Sequence, residues 1–253
     1  MQIELMRHAT LLITIGDRLL IVDPMYSPPA AWDPVENTAN PQRNPMGELP
    51  YDKAALQSIN ERLDAIVVTH THADHWDEPA QQQLDSALPL FCQPTDHEVI
   101  EAQGFSDVQS VEDSLDWGPI HVIRSGGQHG RGEVAERIGP VSGFVFQREG
   151  EPSLYVAGDT VFCPEVEETL TTYEPDVVVV NAGAAQFLEG GPITMDADDL
   201  LKVAETSPAS TIVAVHMEII NHCLLTRTML AEALVSTPAG AVRIPMDGER
   251  MTF

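Results

Sequence analysis

Short apolar runs closed by turn residues, not long amphipathic stretches, set the pattern of this chain. Residues 8–23 read as a hairpin, with His8-Ala9-Thr10-Leu11-Leu12-Ile13 and Leu19-Leu20-Ile21-Val22 joined around Gly16-Asp17, and Asp23-Pro24 ends its second strand. Residues 25–52 have no periodicity and carry Pro28, Pro29, Pro34, Pro41, Pro45 and Pro50. Loops of that length in compact domains are functional lids or disordered segments, and Tyr26 and Trp32 incline this one to a lid beside a pocket. The run Ala65-Ile66-Val67-Val68 predicts a buried strand. A helix near Glu78–Ser86, a strand over Pro89–Gln93 and a helix from about Thr95 to Gln103 follow.

Residues 108–158 then read as consecutive strands, among them Ile120–Arg124, Val141–Gln147 and Leu154–Val156. Alternation resumes with a helix near Glu165–Thr172, a strand at Val177–Val180, a helix from about Asp196 to Thr206, a strand at Thr211–Val215 and a helix over Thr226–Val235. Two similar halves of strand clusters flanked by helices predict an α/β (α+β) fold of two packed sheets with helices outside. No linker-like segment interrupts residues 1–253, so a single domain is expected.

Composition narrows the partners. The formal charge is −26, and Lys53 and Lys202 are the only lysines. Nucleic-acid binding requires a basic stripe whose phosphate contacts release counterions, and none is present. The acidity reads as a solubility or salt-adaptation trait, compatible with a small-molecule substrate. The N-terminal apolar run Ala9–Val22 is broken by Gly16-Asp17-Arg18 and is not preceded by a basic leader, so neither membrane insertion nor export is expected. Cys92, Cys163 and Cys223 have no disulfide or zinc spacing, which suits a reducing, cytoplasmic setting. Self-association stays open.

The chemistry is concentrated in Thr69-His70-Thr71-His72-Ala73-Asp74-His75, directly after the Ala65–Val68 run. Imidazole and carboxylate ligands suit zinc and its first-row neighbours, and crowded histidines beside a carboxylate at a strand end have little structural use without a metal. Three more candidates also follow predicted strands: His129 in Gly126-Gly127-Gln128-His129, Asp159 in Ala157-Gly158-Asp159-Thr160, and His216 after Thr211–Val215. Strand ends at one edge of a sheet are where residues distant in sequence meet.

This His-x-His-x-Asp-His pattern, with the three later ligands, resembles the metallo-β-lactamase superfamily over nearly the whole chain. The resemblance implies the four-layer αβ/βα sandwich. It also implies two divalent ions, one held by His70, His72 and His129, the other by Asp74, His75 and His216, with Asp159 bridging. Zinc is the first expectation, and manganese, iron or nickel are compatible with the same ligands. Two such ions make hydroxide available from a shared water near neutral pH. Asp74 would in addition orient that water and carry a proton to the leaving group.

Other residues carry weaker expectations. Asp23 matches either a carboxylate that buttresses the metal ligands or a simple turn residue. His8, among apolar neighbours, reads as a buried, hydrogen-bonded strand histidine more than as a ligand, and His97 and His121 as surface residues. Asn181, Asn221 and His222 sit at or beyond strand ends, and Asn181 and His222 are taken as substrate-facing candidates. Cys163 and Cys223 read as small hydrophobes. The Gly127-Gln128-His129-Gly130 block and the His8-Ala9-Thr10 opening look closest to the branch holding the ascorbate-6-phosphate lactonases. A metal-dependent hydrolase of a small ester or lactone is therefore expected. The alternatives are a dinuclear phosphodiesterase acting on a small or lipid phosphodiester and a non-catalytic metal-binding domain.

Overall fold

In the computed structural model, which describes residues 1–235 and 242–253, the strands divide between two mixed sheets of seven. The first holds β1 (Gln2–Arg7), β2 (Thr10–Ile15), β3 (Arg18–Val22), β4 (Ala65–Val68), β5 (Leu90–Cys92) and β6 (Val108–Ser110). The second holds β7 (Ser114–Trp117), β8 (Ile120–Gly126), β9 (Ser142–Gln147), β10 (Leu154–Val156), β11 (Val177–Asn181), β12 (Thr211–Val215) and β13 (Val242–Arg243). The last strand, β14 (Arg250–Thr252), returns to pair antiparallel with β1.

Each sheet repeats one plan. An antiparallel meander, β1-β2-β3 or β7-β8-β9-β10, passes into a parallel ladder, β3-β4-β5-β6 or β10-β11-β12-β13. Helices α1 (Lys53–Asn60), α2 (Glu78–Gln83) and α3 (His97–Ala102) cover the first sheet, while α5 (Pro164–Tyr173), α6 (Ala197–Thr206) and α7 (Arg227–Ala233) cover the second. A short α4 (Glu133–Ile138) lies after β8. The result is the metallo-β-lactamase four-layer sandwich.

The uninterrupted apolar strands follow from this layering. In β11, Val177 and Val179 enter the core between the sheets, whereas Val178 and Val180 pack under the helices. In β4, Ala65 and Val67 face the same central core while Ile66 and Val68 face the helices over the first sheet. A strand buried on both faces has no polar position to alternate with, and each fully buried aliphatic side chain contributes roughly 1.5–3 kcal/mol.

Several boundaries differ from expectation. Strand β1 was not anticipated, and β2 begins at Thr10, because His8 adopts a positive φ of 62° and turns the chain between them. Helices α1 and α4 were likewise not anticipated, and the helix expected at Thr95–Gln103 is a 3₁₀ turn at Pro94–Asp96 followed by α3. Asp196 and Thr226, expected inside α6 and α7, instead cap them, their side chains accepting from the backbone N–H of Asp199 and Met229. No helix among the described residues is long and apolar enough to cross a membrane.

Candidate metal centre

The ends of β4, β8, β10 and β12 meet at one edge of the sandwich. They bring together the turn 69–75, His129, Asp159 and His216. His70 Nε2 lies 2.9 Å from His72 Nδ1, and the ligand atoms of His70, His72 and His129 fall within 4.8 Å of one another. Beside this group, Asp74 Oδ2 is 3.7 Å from His75 Nε2 and 3.5 Å from His216 Nε2, and the two imidazoles are 3.3 Å apart. Asp159 lies between the groups: its Oδ2 is 3.5 Å from His129 Nε2 and 3.3 Å from His75 Nε2, its Oδ1 3.3 Å from His216 Nε2.

These separations fit metal. Ligand atoms about 2.0–2.2 Å from one tetrahedral ion lie about 3.3–3.6 Å from each other, the spacing already found among Asp74, Asp159, His75, His129 and His216, while His70 and His72, at 2.9 Å, stand slightly closer. Their outer nitrogens are also fixed: His75 Nδ1 donates to Asp23 Oδ2 at 2.8 Å and His129 Nδ1 to the Ile193 carbonyl at 2.9 Å. Asp23 is itself held by the backbone N–H and the hydroxyl of Thr69, both at 2.8 Å. Such partners orient an imidazole and raise its basicity as a ligand.

The electrostatics of the protein side chains alone are divided. Burial, reinforced by His75 and His72, holds His70 well below the usual histidine range, and burial lowers His129. Burial would also depress His75 and His216. Neighbouring groups outweigh it: the carboxylates of Asp159, Asp74 and Asp23 hold His75 well above the ordinary value, and Asp159, with the Cys223 thiol and Asp74, raises His216 to about 10. For Asp74 and Asp159, burial is likewise outweighed, here by the surrounding imidazoles, and both stay well below the usual carboxylate range.

His8 is buried and hydrogen-bonded, as expected, but its place in the fold differs. It is not in a strand but in the β1–β2 turn, fully buried, with Nε2 3.2 Å from Asp74 Oδ2 and its ring centroid 3.7 Å from that of His216. Burial and His216 push it down to about 3, so it is a neutral imidazole. Its Nδ1 has no partner among the described residues, which suits a tautomer carrying its proton on Nε2 and donating to Asp74. The available signal was the type of residue, since histidine, like asparagine and aspartate, is enriched at positive φ.

Asn181 also departs from expectation. It is the last residue of β11, is buried, and donates from Nδ2 to Asp159 Oδ1 at 2.6 Å, so it holds that carboxylate and does not line the cavity. His222 does reach the cavity, stacking on Phe187 with centroids 6.3 Å apart and rings 7° from parallel. Asn221 is turned away from the ligands and is fully buried beneath the 25–52 loop. Cys163 and Cys223 are buried free thiols, and Cys223 Sγ lies 3.5 Å from His216 Nδ1.

A cavity of about 250 Å³ opens over the cluster. His72, Asp74, His129, Asp159 and His222 supply its polar surface. Its walls are apolar: Trp32 and Val35 from the long loop, then Ile138, Phe187, Ile193 and Ile220. Neither lysine nor arginine is among the described residues that line it.

The fold and cluster agree with what known proteins contribute. Residues 30–217 match the beta-lactamase superfamily domain. The chain belongs to the β-lactamase superfamily. It is 32% identical over 257 residues to the UPF0173 protein YddR of Bacillus subtilis, spanning all of both chains. A UPF0173 metal-dependent hydrolase of Xanthobacter autotrophicus is 23% identical over 72% of each chain. Among solved structures, the isothiocyanate hydrolase from Delia radicum gut bacteria superposes with a TM-score of 0.93 at 35% identity, covering 100% of this chain and 99% of the other. A possible metal-dependent hydrolase from Veillonella parvula gives 0.94 at 34% identity with the same coverage. The chain is thus a metal-dependent hydrolase of the metallo-β-lactamase superfamily.

Proposed function

We propose that this enzyme hydrolyses a small, uncharged electrophile at carbon, with isothiocyanates as the substrate class placed first and neutral esters or lactones second. The observation that carries the reading is the cavity: compact, apolar-walled and without a lysine or arginine, it offers no counter-charge for a phosphate or carboxylate away from the ligand cluster. Likeness to the isothiocyanate hydrolase over the full chain sets the order of the two classes. The same absence of cations disfavours an anionic sugar lactone and the phosphodiester reading.

In this reading His70, His72 and His129 would hold one divalent ion and Asp74, His75 and His216 a second, with Asp159 available to both groups. Zinc is the leading candidate, and manganese, iron and nickel share its ligand preferences here. When bound, such ions acidify water toward neutrality and polarise the electrophile. The side chain of Asp74 is 15% exposed against 3% for Asp159, so its outer oxygen is the carboxylate group best placed to take a proton from attacking water and return it to the leaving group. His222, neutral because burial lowers it to about 4, donates a hydrogen bond to the atom that gains charge. The net reactions are isothiocyanate plus water to amine plus carbonyl sulfide, and ester plus water to acid plus alcohol. The apolar walls hold the alkyl or aryl part and keep bulk water from the reacting carbon.

The test is a rate comparison on protein of measured metal content. Benzyl isothiocyanate, a neutral γ-lactone, p-nitrophenyl acetate and bis-p-nitrophenyl phosphate form the panel. Turnover of the first three above the phosphodiester is expected, with the isothiocyanate fastest. Phosphodiester turnover far above all the others would overturn the reading.

A further inference from the structure

The roof of the cavity is pinned to its wall through one side chain. Trp32 pairs with Asn44 by reciprocal backbone hydrogen bonds of 3.0 Å, so the loop carrying Trp32 and Val35 folds back on itself. Asn221 then locks that fold from below. Its Oδ1 accepts from the Val35 N–H at 2.9 Å and from Asn44 Nδ2 at 2.8 Å. Its Nδ2 is shared among Thr38 Oγ1 at 2.7 Å, the Asn40 carbonyl at 2.6 Å and the Val35 carbonyl at 3.2 Å. Its backbone N–H donates to Asn44 Oδ1 at 2.8 Å. Asn221 and Asn44 are both fully buried, and Asn221 stands between Ile220 and His222, which also line the cavity.

The loop is also tied at its ends. Arg7, with no exposed surface, donates to the carbonyls of Met25, Ser27 and Gly47, and the Met46 N–H donates to the Ile219 carbonyl at 2.7 Å. An opening lid needs weak, solvent-exposed attachments, and these are buried. Only an amide meets the site's demand for an acceptor and a donor at one point. Aspartate would set a carboxylate against two carbonyls, and leucine would leave buried backbone groups unpaired.

We propose that Asn221 is a specificity-determining positioning residue: it fixes Trp32 and Val35 as a rigid roof, so the cavity has a set depth and selects substrates by the length of their apolar part. The proposal rests on the reading of the site as one for neutral, apolar-bodied substrates. Its test uses straight-chain alkyl hydroxamates, from acetyl to octanoyl, as metal-seeking probes whose tails enter the cavity. Binding is measured by calorimetry to metal-loaded, full-length protein, alongside hydrogen exchange over residues 30–46.

For the wild type, affinity is expected to rise about fourfold per methylene until the tail meets the roof, then fall. In Asn221→Ala the rise continues through the longest tails, exchange over residues 30–44 quickens, and metal content and acetyl-probe affinity hold. Thr38→Val, which removes the hydroxyl that accepts from Asn221 Nδ2 and donates to the Val35 and Asn40 carbonyls, gives the same shift in smaller degree and serves if Asn221→Ala does not fold. A length profile identical in wild type and variants, or unaltered exchange in the loop, overturns the proposal. A wild type that turns over none of the neutral electrophiles yet shows the cut-off, relaxed in the variants, sinks the substrate reading and leaves the roof standing.

Discussion

His8 and Asp74 are 66 positions apart, and the imidazole Nε2 of one lies 3.2 Å from the carboxylate Oδ2 of the other. The contact joins the β1–β2 turn to the turn after β4 and fixes the orientation of a candidate metal-binding carboxylate that faces the cavity. Removing the donor frees Asp74 to rotate. His8→Ala is expected to weaken metal binding at the Asp74, His75 and His216 group by roughly ten- to a hundredfold, with the His70, His72 and His129 group little changed. His8→Gln, which keeps a side-chain donor, should recover part of the loss. Elemental analysis with chelator competition reads both, and unaltered affinity in His8→Ala would show that Asp74 is held without it.

Among the described residues, Asp159 is the only carboxylate placed within reach of both imidazole groups, with His129 on one side and His75 and His216 on the other. Asp159→Asn keeps the volume and the neighbours but removes the charge that offsets two cations. The expected result is loss of about one metal equivalent and most of the hydrolysis, with the circular dichroism of the fold retained. A variant with full metal and near-normal turnover would refute the bridging role.

A pH dependence separates the stripped protein from the loaded one. An unfolded histidine titrates near 6.5, while His216 is raised to about 10 and His75 well above its ordinary value, in both cases by neighbouring groups, carboxylates first among them, that outweigh burial. Folded values above unfolded ones mean stability that is fully present below about pH 6.5 and lost as pH climbs through the folded values. The chelator-stripped protein should therefore lose thermal stability between pH 7 and 10. In the loaded protein those imidazoles would be neutral ligands, so its melting temperature should fall less over that window, the remaining loss coming from the thiols of Cys92, Cys163 and Cys223, which burial raises. Metal binding at pH 8 should accordingly release protons. Equal pH profiles for the two forms would exclude charged His75 and His216 in the stripped site.

The parts of this molecule legible in the sequence are those governed by local pattern. Val177–Val180 had to be a strand buried on both faces, and the His70–His75 turn announced its chemistry by residue type alone. What stayed hidden depends on tertiary geometry. His8 sits among apolar neighbours in sequence, and only the positive φ between β1 and β2 points its ring at Asp74. Asn181 follows a strand as a substrate-facing residue would, yet the register of β11 beside β10 directs its amide to Asp159. The proline-rich loop has no periodicity because what orders it is Arg7 and Asn221, side chains from outside it.

His222 is the side chain for which metal content and catalysis should come apart. The chain turns at Glu218, whose φ is 66°, and returns over the metal-bearing edge, so that His222 lines the cavity six residues after the ligand His216. Its Nδ1 is buried without a partner among the described residues, and its ring is fixed by stacking on Phe187 instead of by a carboxylate or carbonyl. The candidate ligands His75 and His129 both have such an anchor, so His222 lacks the support that they have and keeps its hydrogen-bonding capacity for a guest. His222→Ala should leave metal content unchanged and lower kcat/KM by roughly ten- to a thousandfold, the range for one lost donor to developing charge. His222→Phe should preserve the stacking and the cavity wall but not the donor, and so lose as much activity as the alanine variant. Loss of a metal ion in either variant would make His222 a ligand, and full activity in His222→Phe would reduce its role to shaping the wall.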